Sequence, residues 1–199
     1  IIIRKGSDAA LSSAIDTPNV GLILAGQEVA RRSDGKSDGV GALAVVITAD
    51  KVGTDGISNA AIRGVSEDVY DFRPEAKIIE GRKARPGGDE CVVGRAIRGR
   101  FKGVDLGQSF ELRKNRPLKV VGIMESNGSA YESEIWADVD TIRAAFGREG
   151  IVNSVRARLA DPSQFEAFER SIEGNRQLGL EVQRETDYYE KQSEGTSLF

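Results

Sequence analysis

The amino-acid sequence predicts an α+β protein of two lobes, and three observations carry that prediction. The stretch after Gly150 reads strand, helix, strand, while the stretch before Asn59 reads helix, loop, strand, so the two outer pieces can pair around an inserted middle. That middle contains a self-contained unit, Asp89 to Trp136, organised as a buried strand, a turn and a hairpin. The composition, 39% hydrophobic and 30% charged over 199 residues, is that of a folded chain long enough for one domain or two small ones.

Taken in order, Gly6 to Ile15 is short and polar, with a turn of helix around Ala9, Ala10 and Leu11. Thr17-Pro18 signals a helix start, Thr as N-cap and Pro at the first helical position, with Val20, Ile23, Leu24 and Gln27 on one face. Ser33 to Gly39 is a polar loop, Leu43 to Thr48 a β-branched central strand, and Lys51 to Ser58 a glycine-containing loop. A strand from Ala60 to Gly64, a helical turn from Val69 to Phe72 and a strand at Lys77-Ile78-Ile79 follow. A loop carrying Pro86-Gly87-Gly88 then leads to the central unit.

There, Cys91, Val92 and Val93 form a short buried strand ending at Gly94. Arg95 to Phe101 is a brief helical turn, with Gly103 where a helix C-terminus wants positive φ. Phe110 and Leu112 alternate with polar neighbours, Asn115-Arg116 supplies a turn, and Leu118 and Val120 alternate on the way back, which is a hairpin. Past the loop Asn127 to Ser133, Ile135 and Trp136 make a short strand. Asp138 caps a helix with Val139, Ile142 and Phe146 on one side and Gly147 as its stop. Val152, Val155, Ala157 and Leu159 give a strand. Asp161-Pro162 opens a helix with Gln164 in the capping-box position, Phe165, Phe168 and Ile172 on its buried face, and Gly174 at its end. Leu180 and Val182 form a last strand, and Glu185 to Gln192 begins a terminal helix.

Composition also excludes functions. The formal net charge of −3 offers no basic excess to neutralise phosphates, so nucleic acid is not expected as a partner. The short basic groups, Arg82, Lys83 and Arg85 or Arg113, Lys114 and Arg116, read as solvated loops and rims. The chain has no histidine, which removes Ser–His and Cys–His catalysis and most zinc sites. Cys91 is the only cysteine and sits between apolar neighbours, so it reads as a small core residue that leaves the redox compartment open. No run approaches the ~20 apolar residues of a membrane span. The chain opens without Met and reads as a piece of a longer protein. Ile1-Ile2-Ile3-Arg4-Lys5 and Thr196-Ser197-Leu198-Phe199 read as frayed strand ends or as stubs of membrane helices.

Three motifs invite chemistry. Ala30 to Ser37, ARRSDGKS, fits a relaxed phosphate-loop pattern, but a helix precedes it and Asp38-Gly39-Val40-Gly41 is a poor helix start, so it reads as a polar loop. Asp34 and Asp38-Gly39 imitate the opening of a calcium loop. Lys36 stands at its third position and Val45 at its twelfth, where a bidentate Glu is needed, and calcium fails. Glu125, Glu132 and Glu134 cluster around a loop and offer paired carboxylates for acid–base work on a sugar, with Trp136 beside them as core or platform. Asn127-Gly128-Ser129 is a glycosylation sequon by letters. No catalytic, cofactor-binding or metal residue is assigned from these patterns.

Five short motifs in order carry a family resemblance. They are Arg63-Gly64-Val65, Ile79-Glu80-Gly81-Arg82, Glu90 to Gly94 (ECVVG), Leu106-Gly107 followed by Phe110, and Val120-Val121-Gly122-Ile123. The run from Ala60 to Trp136 resembles the extracytoplasmic, MacB-like periplasmic core domain of FtsX-like ABC-transporter permeases. Arg4-Lys5-Gly6-Ser7 and Glu190-Lys191-Gln192-Ser193 look like that family's junctions with membrane helices.

The resemblance implies a porter-like α/β-sandwich lobe from residues 1–58 and 150–199 and a small α/β-rich, Sabre-like lobe from residues 59–149. It implies no cofactor in this domain, ATP being bound by a separate nucleotide-binding subunit. It implies as partners that ATPase, acting through a membrane part, a second permease copy, and a periplasmic adaptor. The location implied is the periplasmic or extracellular face of a bacterial inner membrane. The function expected is non-enzymatic: transmission of ATP-driven helix motion to a periplasmic substrate or partner. The alternatives are a free-standing hydrolase using Glu132 or Glu134, which requires facing carboxylates with a raised pKa, and a passive ligand-binding module with one apolar cavity.

Overall fold

Strands and helices form where apolar periodicity and turn chemistry place them. In the structure, a computed structural model describing residues 1–197, they are β1 (Ile2–Arg4), β2 (Ile15–Asp16), α1 (Thr17–Leu24), β3 (Gly39–Asp50), β4 (Ile57–Val65), α2 (Val69–Phe72), β5 (Lys77–Gly81), β6 (Glu90–Gly94), β7 (Ser109–Arg113), β8 (Arg116–Glu125), β9 (Glu134–Asp138), α3 (Val139–Phe146), β10 (Ile151–Val152), β11 (Ser154–Ala157), α4 (Phe165–Glu173), β12 (Leu180–Val182) and α5 (Glu185–Ser197). Leu198 and Phe199, half of the expected C-terminal stub, lie outside the described residues. The chain divides into two compact units, one formed by Ile1–Gly41 with the residues from Gly150 on, the other by Ala42–Glu149.

The outer unit is built on the order β12-β1-β11, with the start of β3 next to β11. β1 pairs antiparallel with both neighbours, Ile2 facing Val155 on one side and Val182 on the other. Ile2, Ile15, Ile23, Val155, Phe168 and Ile172 form its core. Phe168 and Ile172 of α4 are buried there, while Phe165 is half-buried. Two helix starts differ from expectation. Asp16, not Thr17, occupies the N-cap of α1, so the signal Thr17-Pro18 lies one position inside the helix. Asp161 caps a short 3-10 turn through the N–H of Ser163 at 2.9 Å, and the side-chain oxygen of Gln164 has no hydrogen-bond partner, so no capping box closes.

The inner unit orders its strands β3-β4-β9-β6-β8-β5, with β7 also paired to β8. β4/β9 and β6/β8 are parallel and the other pairs antiparallel. Alternation along each strand splits its apolar residues between two faces. Cys91, Val93, Ile135 and Ala137 join Leu43, Ile62, Val120 and Ile142 in the larger core. Val92, Met124 and Trp136 point the other way and pack with Val69 and Tyr131. The helix expected at Arg95–Phe101 is instead a series of turns closed by i→i+3 bonds from the N–H of Ile97 and of Arg100. α3 follows its signals. Asp138 accepts from the N–H of Asp140 and Thr141, and Gly147 takes φ 62° at the C-cap.

Candidate functional site

Guanidinium partners take up every carboxylate of the cluster singled out in the sequence, Arg95 bridging Glu125 and Glu132 and Arg63 holding Glu134. Glu132 is 5% exposed and accepts from the backbone N–H of Ser126 and Gly128, both at 2.8 Å, and from Arg95 Nε at 2.9 Å. Those backbone donors first, then Arg95, hold its carboxyl below the usual carboxylate range. Glu125 accepts from Arg95 Nη1 at 3.1 Å. Glu134 takes a bidentate pair from Arg63, 2.8 Å on each arm, and the indole N–H of Trp136 at 3.0 Å. A general acid needs its proton held at neutral pH. Glu132 is shifted the opposite way, and its role is to clamp the turn at Asn127-Gly128.

Trp136 is 1% exposed, with Tyr70 and Tyr131 rings at 5.8 and 5.7 Å, so it is core and not a sugar platform. Beside it a cleft of about 80 Å³ is lined by Glu67, Tyr70, Lys83, Arg85, Pro86 and Trp136, among others. That is well below the roughly 300–1,000 Å³ of a drug-sized pocket, and its wall mixes charges with rings. Burial pushes the Tyr70 phenol up to about 12.

Cys91 is fully buried, and burial pushes its thiol up, away from reactivity. Residues 30–37 close on themselves as a small antiparallel turn. Arg31 bridges Ser37, the N–H of Arg32 donates to Lys36 O at 2.8 Å, and the chain then enters β3. A phosphate cradle needs a helix N-terminus at that point. Asp38 accepts from Arg158 Nη1 at 2.8 Å. Among the described residues no group of three or more His, Cys, Asp or Glu could hold a metal ion.

The motif residues turn out to be architectural. Arg82 makes a bidentate pair with Glu90 at 2.8 and 2.6 Å, and this hydrogen-bonded guanidinium takes the Glu90 carboxyl down to about 2. Glu80 pairs with Arg98, which also holds Asp105 at 3.0 Å. Gly94 and Gly122 sit where main chains touch: a Cβ at Gly94 would stand 2.1 Å from Glu132 O, and one at Gly122 would stand 2.2 Å from Arg82 O.

A second cluster, which sequence reasoning missed, lies where β1 meets the root of α5. The Ile1 nitrogen donates to Gln183 O at 2.8 Å and the Gln183 N–H returns to Ile1 O at 2.9 Å, two residues before α5 begins. Arg156 on β11 is buried, 5% exposed. It reaches Glu185 through Nε at 3.0 Å, Tyr189 Oη through Nη2 at 3.2 Å and Ser154 Oγ at 2.9 Å. Tyr188 is buried against Ile1, Ile3 and Ala10, and its hydroxyl accepts from the Ala10 N–H at 2.8 Å. One turn further along α5, Gln192 Nε2 donates to Asp8 O at 2.8 Å. A signal for this cluster existed: Ser154 and Arg156 occupy alternate positions of a strand whose other residues are apolar, so its second face had to meet a polar partner.

No helix among the described residues is long and apolar enough to cross a membrane. The match to a family model sets the class: a periplasmic domain of an ABC-transporter permease, lying outside the membrane. The chain belongs to the MacB-like periplasmic core domain family, which it matches over residues 2–175. Its fold is similar to that of the extracellular domain of the noncanonic ABC-type transporter YknZ from Gram-positive bacteria, with TM-score 0.63, 14% identity, and 92% of this chain and 98% of that one covered. It is similar also to the periplasmic region of MacB from Actinobacillus actinomycetemcomitans, with TM-score 0.61, 11% identity, and coverage of 97% and 91%. At these identities the two structures speak for the fold alone. A search of curated proteins finds no match.

Proposed function

We propose that the domain works as a lever in an export permease. ATP-driven movement of membrane helices is passed through Ile1–Lys5 and α5. The outer unit serves as the porter-like lobe and the inner unit as the Sabre-like lobe, and they shift against a second permease copy, an adaptor or an exported substrate. The observation that carries this reading is the reciprocal bonding of Ile1 and Gln183 beside the anchored start of α5. A displacement arriving by either segment reaches the same end of the paired strands β1 and β12. A driven transition needs two arrangements with different contacts, and the bonds of Tyr188 and Gln192 to residues 8–10 are ones that a second arrangement can release. ATP is bound by the partner ATPase.

Amide hydrogen exchange on the full permease–ATPase complex tests this. Trapping with a nonhydrolysable ATP analogue is expected to change protection at residues 8–13 and 185–192. Two glycines inserted between Arg184 and Glu185 should abolish that change while ATP hydrolysis continues. Identical protection with and without the analogue would sink the lever.

A further inference from the structure

Among the described residues, six of the eleven arginines of the inner unit pair with carboxylates: Arg63 with Glu134, Arg73 with Glu75, Arg82 with Glu90, Arg95 with Glu132, Arg98 with Asp105 and Arg143 with Asp140. The tip of the β7–β8 hairpin departs from this. Arg113 and Arg116 stand directly opposite one another in register, joined by Lys114 and by Asn115 at φ 63°. All three cations are exposed, and none has a carboxylate partner among the described residues. Arg113 lies over the Phe146 ring at 4.8 Å and reaches Ala145 O at 3.5 Å, which sets the tip beside the end of α3. Arg148, two residues past Phe146, is also exposed and has no carboxylate partner among the described residues.

Like charges directly opposite on antiparallel strands destabilise the pair. The C-terminal carbonyls of α3 offset part of the repulsion, and Arg148 adds to it. A tip that repels itself in isolation is relieved by an anionic partner. Two further features select the kind of anion. Exposed Glu111 and Glu149 flank the cations with no basic partner among the described residues, and a uniformly negative surface would repel them. The exposed large apolar side chains of the described residues all lie outside 109–119 and 139–149, so nothing at the tip can enter an acyl layer.

We propose that the β7–β8 tip, with Arg148, docks an acidic segment of a partner protein. Carboxylates one helical turn apart have Cβ atoms about 5–6 Å apart. Opposed residues such as Arg113 and Arg116 are separated by about 5 Å. Discrete carboxylates at that spacing satisfy both guanidinium groups and leave room for Glu111 and Glu149 to meet cations on the partner.

The test uses the domain and a fluorescently labelled helical peptide of (EAAAE)₃ type, read by anisotropy at low and high salt. The double variant Lys114→Glu/Arg116→Glu should weaken binding about tenfold, each exposed pair contributing little and charge reversal counting twice. The equal-charge control Lys77→Glu/Lys102→Glu should bind as the parent does, and unchanged Trp136 fluorescence should show both variants folded. Peptide binding equal in the tip variant and the parent overturns the proposal. So does tip-dependent sedimentation with phosphatidylglycerol vesicles, or tip-dependent self-association by sedimentation velocity, appearing in place of peptide binding.

Discussion

Replacing Arg63 by Met probes the ion pair that ties β4 to β9. Arg63 and Glu134 side chains are 12% and 13% exposed, and the bidentate geometry leaves neither carboxylate oxygen to water alone. Deleting one partner of a buried pair costs about 3–5 kcal/mol, because the other charge stays behind undischarged. Trp136 Nε1 still donates to Glu134, which favours the low end of that range. The lost guanidinium also lies 5.4 Å from the Tyr131 ring centroid, a contact worth roughly 0.5–1 kcal/mol. The expected loss is about 3–4 kcal/mol in urea unfolding followed by the fluorescence of Trp136, the chain's one tryptophan and a neighbour of the pair. The double variant Arg63→Met/Glu134→Met leaves no stranded charge and should recover most of that loss. A single-variant cost under about 1 kcal/mol, or a double variant no better than the single, would refute the view that this pair is desolvated and coupled.

Three further outcomes follow from the same structure. Glu90, taken to about 2 by Arg82, and Glu132 have folded pKa values below the ordinary 4.5, so their stabilisation is present above that value and is lost as pH falls through the folded ones. The urea midpoint should therefore hold flat above pH 6 and decline from about pH 5 toward pH 2, less steeply in Arg82→Met, and an identical slope in that variant would contradict the assignment. Cys91 should react with Ellman's reagent at pH 8 only as fast as the inner unit opens, and burst labelling of the native protein would show the thiol accessible. Tyr188→Phe removes the acceptor of the buried Ala10 N–H, at an expected cost of about 1–3 kcal/mol. It should show as faster amide exchange at residues 8–13 and 185–192, with no change if the bond contributes nothing.

Local signals were legible because they are settled by near neighbours. Asp138 and Gly147 bound α3, the β7–β8 hairpin turns at Lys114-Asn115, one residue before the expected pair Asn115-Arg116, and Phe168 and Ile172 mark the buried face of α4. Strand order was not, since β4 meets β9 and β6 meets β8 across long sequence separations that no periodicity encodes. The lobe boundary implied by the resemblance falls just after the glycine-containing stretch Lys51–Ser58. In the structure its first six residues connect β3 to β4, whose register runs from Leu43 facing Gly64 to Asp50 facing Ile57, so residues 42–58 lie in the inner unit. Glu125, Glu132 and Glu134 show in sequence as a carboxylate cluster only because their partners, Arg95 and Arg63, come from distant strands and turns. The anchor of α5 was hidden for the same reason, Arg156 meeting Glu185 across an intervening helix and strand.

Pulsed EPR on spin labels at exposed Lys114 and Lys191 in the assembled permease–ATPase complex tests the lever most directly. The buried Cys91 will not compete for label. The account predicts that the distance distribution shifts between the nucleotide-free and ATP-trapped states, and that the two-glycine insertion after Arg184 abolishes the shift. A distribution that is the same in both states, in a complex that hydrolyses ATP at its normal rate, would contradict it.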